Sequence, residues 1–265
     1  AKRVHTRLAQ AVEARQDAVA ARLKAVFAEW ARSIAKKLAR VLGLGKATKT
    51  VQELVDEALA ALDLDPMGQD VVDEIADELL AMYERAAKAG LAQVKVKETD
   101  EITNHLDERA KEYAETRGAE LVGKKIVGGK VVDNPSAKWS IDETTRDYLR
   151  LTMTQAVEEG WSAKRFADAI VEGPAFSEER ALMIARTELA FAHMSGNVEG
   201  WRQSGEVAGK RWILGDLHDE PDECDENADA GVIDFEDDFP SGDAFAPAHP
   251  NCVCDVVPVL SSEEK

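Results

Sequence analysis

The sequence predicts a mainly α-helical protein with a small α+β C-terminal subdomain. Apolar residues recur at helical spacing through most of the first 206 of its 265 residues. Runs of β-branched residues, which favour strands, occur around 124–140 and after residue 206. The segment 215–248 is rich in Gly, Pro and Asp, as loops are. We therefore expect long helices followed by a compact module of strands and loops.

The first predicted element is one long amphipathic helix. From Val4 to Leu42, apolar residues recur at steps of three, four or seven, which places one stripe along about eleven helical turns. The stripe includes Phe27 and Trp30, so it favours packing against other helices with the polar face outward. Residues 1–50 also hold 12 Lys and Arg against 3 Asp and Glu. The outward face is therefore expected to be basic.

The remaining elements follow from caps and turns. Helices are predicted over 50–62, 69–94 and 99–123, and Gly128-Gly129 predicts a hairpin or linker at 124–140. Serines 140, 162 and 177 are predicted caps of three more helices, and strands are expected at 211–214 and 253–260. The predicted organisation is an N-terminal helical region (1–123), a hairpin or linker (124–140), a helical part (141–206) and an acidic strand and loop subdomain (207–265).

Charge and hydropathy exclude some classes of protein. There are 33 Lys and Arg against 51 Asp and Glu, a net charge of −18, which argues against a protein that coats nucleic acid with its whole surface. Binding of DNA by residues 1–50 alone remains a hypothesis. No apolar run is long enough for a membrane span, and no signal peptide is evident. The sequence is therefore expected to act outside the bilayer.

The densest group of reactive residues lies near the C-terminus. In extended backbone, Cys252 and Cys254 point their sulfurs to one side, and His249 is close enough in sequence to reach the same ion. Cys224 would supply a fourth ligand, and His218 could replace one of the four. Thiolates with imidazole suit zinc, and four protein ligands indicate a structural site. The expected fold is thus a set of long helices followed by a metal-clipped strand and loop module.

Alternative chemistries are less well supported by the sequence. A nucleophilic pair of Cys252 and His249 is conceivable, but the surrounding ligands favour a metal, and no other catalytic motif is present, so we do not expect an enzyme. The acidic segment 225–236 only partly matches a calcium loop. Arg186 and Glu188 lie two residues apart in a predicted helix, where they cannot pair with each other, and are expected to be ordinary charged surface.

Taken together, these residues resemble a known family. The resemblance rests on an ordered series of motifs across about 141–260: Ile184-Ala-Arg186-Thr-Glu188, Asn197, Gly200, Trp212, Asp216, His218, Cys224-Asp225, Gly231, Phe239 and His249-Pro-Asn-Cys252-Val-Cys254. This order is similar to that of the phage head morphogenesis family named after phage Mu protein F. Residues 1–125 carry no motif of that family.

The resemblance implies a structural role in a virus particle. Proteins of this kind are minor capsid proteins, present in few copies near the portal, which assist head assembly or DNA passage without catalysis. The implied partners are the portal and other capsid proteins, and the implied locations are the capsid interior or portal vertex and, during assembly, the host cytoplasm. Two alternatives stay open: a nucleic-acid-binding protein that uses the basic helix, and the C-terminal part of a portal fusion.

Overall fold

The computed structural model describes residues 2–41, 50–137, 140–218 and 221–261, with side chains described from residue 14 onward except that of Val41. The structure is 65% helical, with eight α-helices in the described ranges and a small C-terminal sheet, which confirms the predicted fold class. The helices are α1 (Lys2–Val41), α2 (Val51–Ala60), α3 (Asp65–Gln93), α4 (Asp100–Leu121), α5 (Ile141–Glu158), α6 (Ala163–Val171), α7 (Glu178–Ser204) and α8 (Glu223–Asp229). The strands are β1 (Lys124–Val127), β2 (Lys130–Asp133), β3 (Val207–Ile213), β4 (Val232–Asp234) and β5 (Asp255–Leu260).

Two compact units make up the chain. The first contains residues 1–76 and 115–182, and the second contains 77–114 and 183–265. Helices α3, α4 and α7 each contribute to both units. The four domain boundaries expected from the sequence stay a prediction.

In the first unit, α1 buries its apolar stripe as the sequence predicts. Its buried side chains have 0–1% exposure and recur at helical spacing: Val19, Leu23, Phe27, Ile34 and Leu38. Phe27 meets Phe176 edge-to-face, with ring centroids 6.3 Å apart, and the Trp30 indole donates a hydrogen bond to Asp70. The expected stripe positions at Val4, Leu8 and Val12 have undescribed side chains, and Leu42 lies outside the described residues.

The glycine-centred hairpin also forms where the sequence predicts it. Strands β1 and β2 pair antiparallel, with Val127 opposite Lys130 across a two-residue turn. Gly128 and Gly129 have φ angles of 57° and 74°, the pair of positive values that a type I′ turn requires. The apolar side chains of this hairpin remain 39–66% exposed.

A buried carboxylate lies at the start of α5 in the first unit. Asp142 is 8% exposed, and its Oδ1 has no hydrogen-bond partner among the described residues. Burial, reinforced by the nearby charge of Asp65, raises the pKa of this carboxyl group to about 6. Arg146, Lys124 and Arg180 oppose the shift without cancelling it.

Replacing Asp142 with asparagine is expected to stabilise the protein at neutral pH. Since the folded-state pKa lies above the unfolded value, the wild type loses stability as pH rises from about 4 to about 6, by roughly 3 kcal/mol for a shift of this size. The variant escapes this loss, so its advantage should be small below pH 4 and largest above pH 6. Urea unfolding of both proteins across this range measures it.

The control for this experiment is Glu143→Gln. Glu143 is exposed in the same helical turn, so its replacement removes an equal charge without relieving burial. An equal gain in stability from Glu143→Gln would show that net charge, not the burial of Asp142, is responsible.

The second unit is built on α7 and a three-stranded sheet. The strand order is β4-β3-β5, and both pairings are antiparallel. The core of this unit joins α7 to the sheet through Trp201, Trp212 and Phe239, each at most 2% exposed. Cys224, at 0% exposure, belongs to the same core, so the first turn of α8 is packed against these aromatic residues.

Candidate metal centre

Helix α8 places Cys224 in its first turn. The segment 215–248 was expected to be loop, but Asp222 begins a helix there as its N-cap. The Oδ1 atom of Asp222 accepts a hydrogen bond from the Cys224 backbone N–H at 2.7 Å, and Asp225 accepts one from the Asp222 backbone N–H at 2.9 Å. This reciprocal capping satisfies backbone donors that a helix start leaves open. It fixes the position of the Cys224 backbone.

A tight turn positions Cys252, which precedes Cys254 by two residues. The Cys252 backbone N–H donates to the His249 carbonyl at 3.1 Å, and Asn251 has a φ of 61°. From α7, the Thr187 hydroxyl accepts a hydrogen bond from the Asn251 backbone N–H at 3.1 Å. A side chain of the Arg-Thr-Glu helix therefore supports the His-Pro-Asn-Cys turn.

A close backbone approach fixes the extended segment between Cys252 and Cys254, just before β5. A Cβ atom at Gly215 would lie 2.1 Å from the Val253 carbonyl oxygen, so this position accommodates only glycine. Gly215 lies two residues after the end of β3, whose last residue, Ile213, pairs with Asp255. No sequence motif marks Gly215, because the contact that requires it comes from tertiary packing.

The three thiols converge. The Sγ atoms of Cys224 and Cys252 lie 3.6 Å apart, and all three sulfurs lie within 4.8 Å of one another. Burial, and then repulsion from Cys252, raise the pKa of the Cys224 thiol well above its usual range, and burial also raises the pKa of the Cys252 thiol. Without a cation, both groups are therefore protonated at neutral pH, and a bound metal ion would have to displace these protons.

His249 presents one nitrogen to this cluster. Its Nδ1 lies 3.0 Å from the Pro250 carbonyl oxygen, which can only accept, so Nδ1 carries the hydrogen. Its Nε2 has almost no exposed area and no hydrogen-bond partner among the described residues, and lies 3.1 Å from Oδ2 of Asp222. A ring nitrogen of His249, a carboxylate oxygen of Asp222 and the Sγ atom of Cys224 lie within 4.8 Å of one another.

The other candidate histidine lies in a separate group. His218 Nε2 is 2.9 Å from Oδ2 of Asp225, and the two residues form a group with Asp222. Hydrogen bonds from the Asp222 backbone N–H and from His218 lower the pKa of Asp225. Among the described residues, His218 is thus associated with carboxylates rather than with the thiols.

The donors present are of the kinds that bind zinc. Three thiols and an imidazole nitrogen with a free lone pair are the ligands that zinc prefers, and a backbone carbonyl orients that imidazole as in many metal sites. The carboxylate of Asp222 is a further donor that the sequence reading did not include. Bound there, zinc would supply cross-linking, by joining α8 to the segment before β5.

One minor expectation, that the Arg-Thr-Glu segment is ordinary charged surface, is wrong. Glu188 is 4% exposed and Thr187 is 5% exposed, so the Arg-Thr-Glu segment is not ordinary charged surface, although Arg186 is exposed. The reason is that this part of α7 packs inside the second unit. The acidic segment 225–236, which only partly matched a calcium loop, begins inside α8, where helical backbone turns successive side chains away from a common centre.

Comparison with known proteins places this region in a family. Residues 147–257 match the family model described as Phage Mu protein F like protein. This part of the chain belongs to the Mu F-like family. The Mu F-like segment begins in α5 and ends in β5, so it includes α7, strands β3 and β4, the first half of β5, and every cysteine and histidine of the candidate centre. Searches of curated proteins and of solved structures found no match. None of the described helices combines the length and the apolar character that crossing a membrane requires.

Proposed function

We propose that the protein is a minor capsid protein that acts in phage head morphogenesis, near the portal. The observation that carries the proposal is the Mu F-like match over 147–257, which contains α6, α7, α8, β3, β4 and the candidate metal centre. It binds the portal and other capsid proteins, resides in the virion after assembly in the host cytoplasm, and assists head assembly and DNA passage. Its role is structural, and it performs no catalysis.

Zinc is part of this proposal. The ion is held by Cys224, Cys252 and Cys254, with His249 as the nearer of the two histidines to Cys224. Between Cys224 and Cys252 the chain contains the rest of α8, the three-residue strand β4 and an acidic segment with little other regular structure. A metal cross-link at its ends stabilises such a segment by restricting the unfolded chain. The module then presents a fixed surface to its partners.

The test is the composition of phage particles. Particles from a phage that carries this gene are purified by density gradient, and peptides of the protein are counted against portal peptides by mass spectrometry. We expect the protein at a copy number of the order of the portal's or below it, far below that of the major capsid protein. Deletion of the gene should give defective or empty heads, restored by a plasmid copy. Absence from particles, with normal heads after deletion, would refute the proposal.

A second candidate function, binding of nucleic acid, is favoured by one observation on α1. Arg32, Lys36 and Arg40 are exposed at intervals of four residues, with Lys37 beside them. This spacing places a cation about every 6 Å along one helix face. In the described part of the chain no acidic side chain is seen paired with them. Such a row suits the phosphate backbone of DNA.

Replacing Arg32, Lys36 and Arg40 together with glutamine is expected to weaken DNA binding. Each lost phosphate contact lowers the slope of log affinity against log salt by about one, so the slope should fall by about three and low-salt affinity at least about tenfold. Fluorescence anisotropy with duplex DNA over a salt series measures both. Lys24→Gln is the matched control, because Lys24 lies on α1 but is paired with Glu178. Equal losses in both proteins would rule out this face as the binding surface.

A further inference from the structure

The donors around Cys224 form two sets that share its sulfur. One set is Cys224 with Cys252 and Cys254, and the other is Cys224 with Asp222 and His249. Ligand atoms of one tetrahedral zinc ion lie about 4 Å apart or less, because each bond is about 2.0–2.3 Å long. Within each set the ligand atoms lie within 4.8 Å of one another. In the described part of the chain, no set with this spacing contains His249 together with Cys252 or Cys254. The placement therefore suits two ion positions better than one.

In the second set, Nε2 of His249 and a carboxylate oxygen of Asp222 lie close together. Because Nδ1 of His249 donates to the Pro250 carbonyl, Nε2 of the neutral ring has a lone pair and no hydrogen. That lone pair lies 3.1 Å from a carboxylate oxygen of Asp222 in a spot with almost no solvent exposure, and no hydrogen bond joins the two atoms. A neutral His249 and an ionised Asp222 held this close repel each other unless a proton or a metal ion lies between the two atoms.

The net charge of the donor side chains also favours two ions over one. In their metal-binding forms, three thiolates and the Asp222 carboxylate carry four negative charges, in a cluster with a fully buried Cys224. One divalent cation leaves half of this charge uncompensated, whereas two neutralise it. Uncompensated charge is costly in a partly buried site.

We propose that the centre holds two divalent cations bridged by the Cys224 thiolate. The proposal rests on the zinc cross-link described above. The first ion is bound by Cys224, Cys252 and Cys254, and the second by Asp222, Cys224 and His249. The ions are of the zinc class, since the second set combines one sulfur, one nitrogen and one oxygen donor. His218 and Asp225 bind neither ion, because their nearest atoms already pair with each other at 2.9 Å.

The number of ions per chain tests the proposal. The full chain is loaded with Co²⁺, excess metal is removed, and bound ions are counted by native mass spectrometry while thiolate-to-cobalt absorption reports the sulfur ligands. We expect two ions in the wild type and one in Asp222→Asn, which keeps its sulfur-to-cobalt absorption. Asparagine caps a helix as well as aspartate does, so this variant removes the charge of the ligand without removing the cap.

Two further variants test the first ion position and provide a control. Cys252→Ser should retain the second ion only, and Glu226→Gln, an exposed change on the same helix, should retain both. One ion in the wild type, whether Asp222→Asn keeps or loses it, would overturn the two-ion proposal and leave the single cross-link standing. No ion in the wild type would overturn the cross-link itself.

Discussion

Replacing Gly200 with alanine is expected to destabilise the protein by about 3 kcal/mol, although the same change in an exposed helix usually stabilises by about 1 kcal/mol. In the second unit, α7 crosses α3 at a very short distance. A Cβ atom at Gly200 would lie 2.2 Å from the Ala87 carbonyl oxygen, and one at Gly196 would lie 2.3 Å from the Tyr83 carbonyl oxygen. Both obstacles are backbone atoms, so no side-chain rotation can relieve the clash.

Chemical denaturation of Gly200→Ala and Ser195→Ala measures this effect. Ser195 is on the same helix and only partly buried, so its replacement tests helix propensity without the clash. A lowered midpoint for Gly200→Ala with an unchanged slope indicates lost stability rather than a change in the unfolded state. If Gly200→Ala raised the midpoint instead, the two helices could not be as close as the structure places them.

The elements that the sequence predicted are those with strong local signals. The stripe of α1, the cap at Ser140 and the Gly128-Gly129 turn each act over a few residues, and each is found where expected. Interactions between residues close in sequence determine where such elements form, because the apolar pattern and backbone capping depend little on distant parts of the chain. The close crossing at Gly196 and Gly200 was not predicted, since two glycines four residues apart in a helix do not identify the helix they meet.

The composition of the candidate metal centre was only partly predictable from the sequence. The spacing of the cysteines predicted them as ligands. Asp222 was not predicted as a ligand, because it lies in an acidic segment that was expected to be loop. Its position three residues before Asp225 is the signal of a helix cap, and recognising it would have predicted α8. Thr187 could not be found in this way, because its contact with Asn251 joins residues 64 positions apart in the sequence. Such contacts follow from tertiary packing alone.

Replacing Cys224 with serine is expected to have the largest effect of all, a loss of bound metal and of about 4 kcal/mol or more of stability. Cys224 is fully buried in the core that contains Trp212 and Phe239, and it belongs to both sets of metal donors. Serine keeps the size of the side chain approximately but is a poor zinc ligand. The measurement pairs metal content by elemental mass spectrometry with urea unfolding, under reducing conditions because the Cys224 and Cys252 sulfurs lie 3.6 Å apart.

A chelator separates loss of the metal from loss of packing. Stripping metal from the wild type should lower its stability nearly as much as the Cys224→Ser substitution does, and the chelator should then have little further effect on Cys224→Ser. The two perturbations are non-additive because both remove the same interaction. If the chelator destabilised Cys224→Ser as much as the wild type, the stabilising ion would be bound elsewhere. If it destabilised neither protein, Cys224 would contribute through packing alone, and the Mu F-like module would hold its acidic segment without a metal.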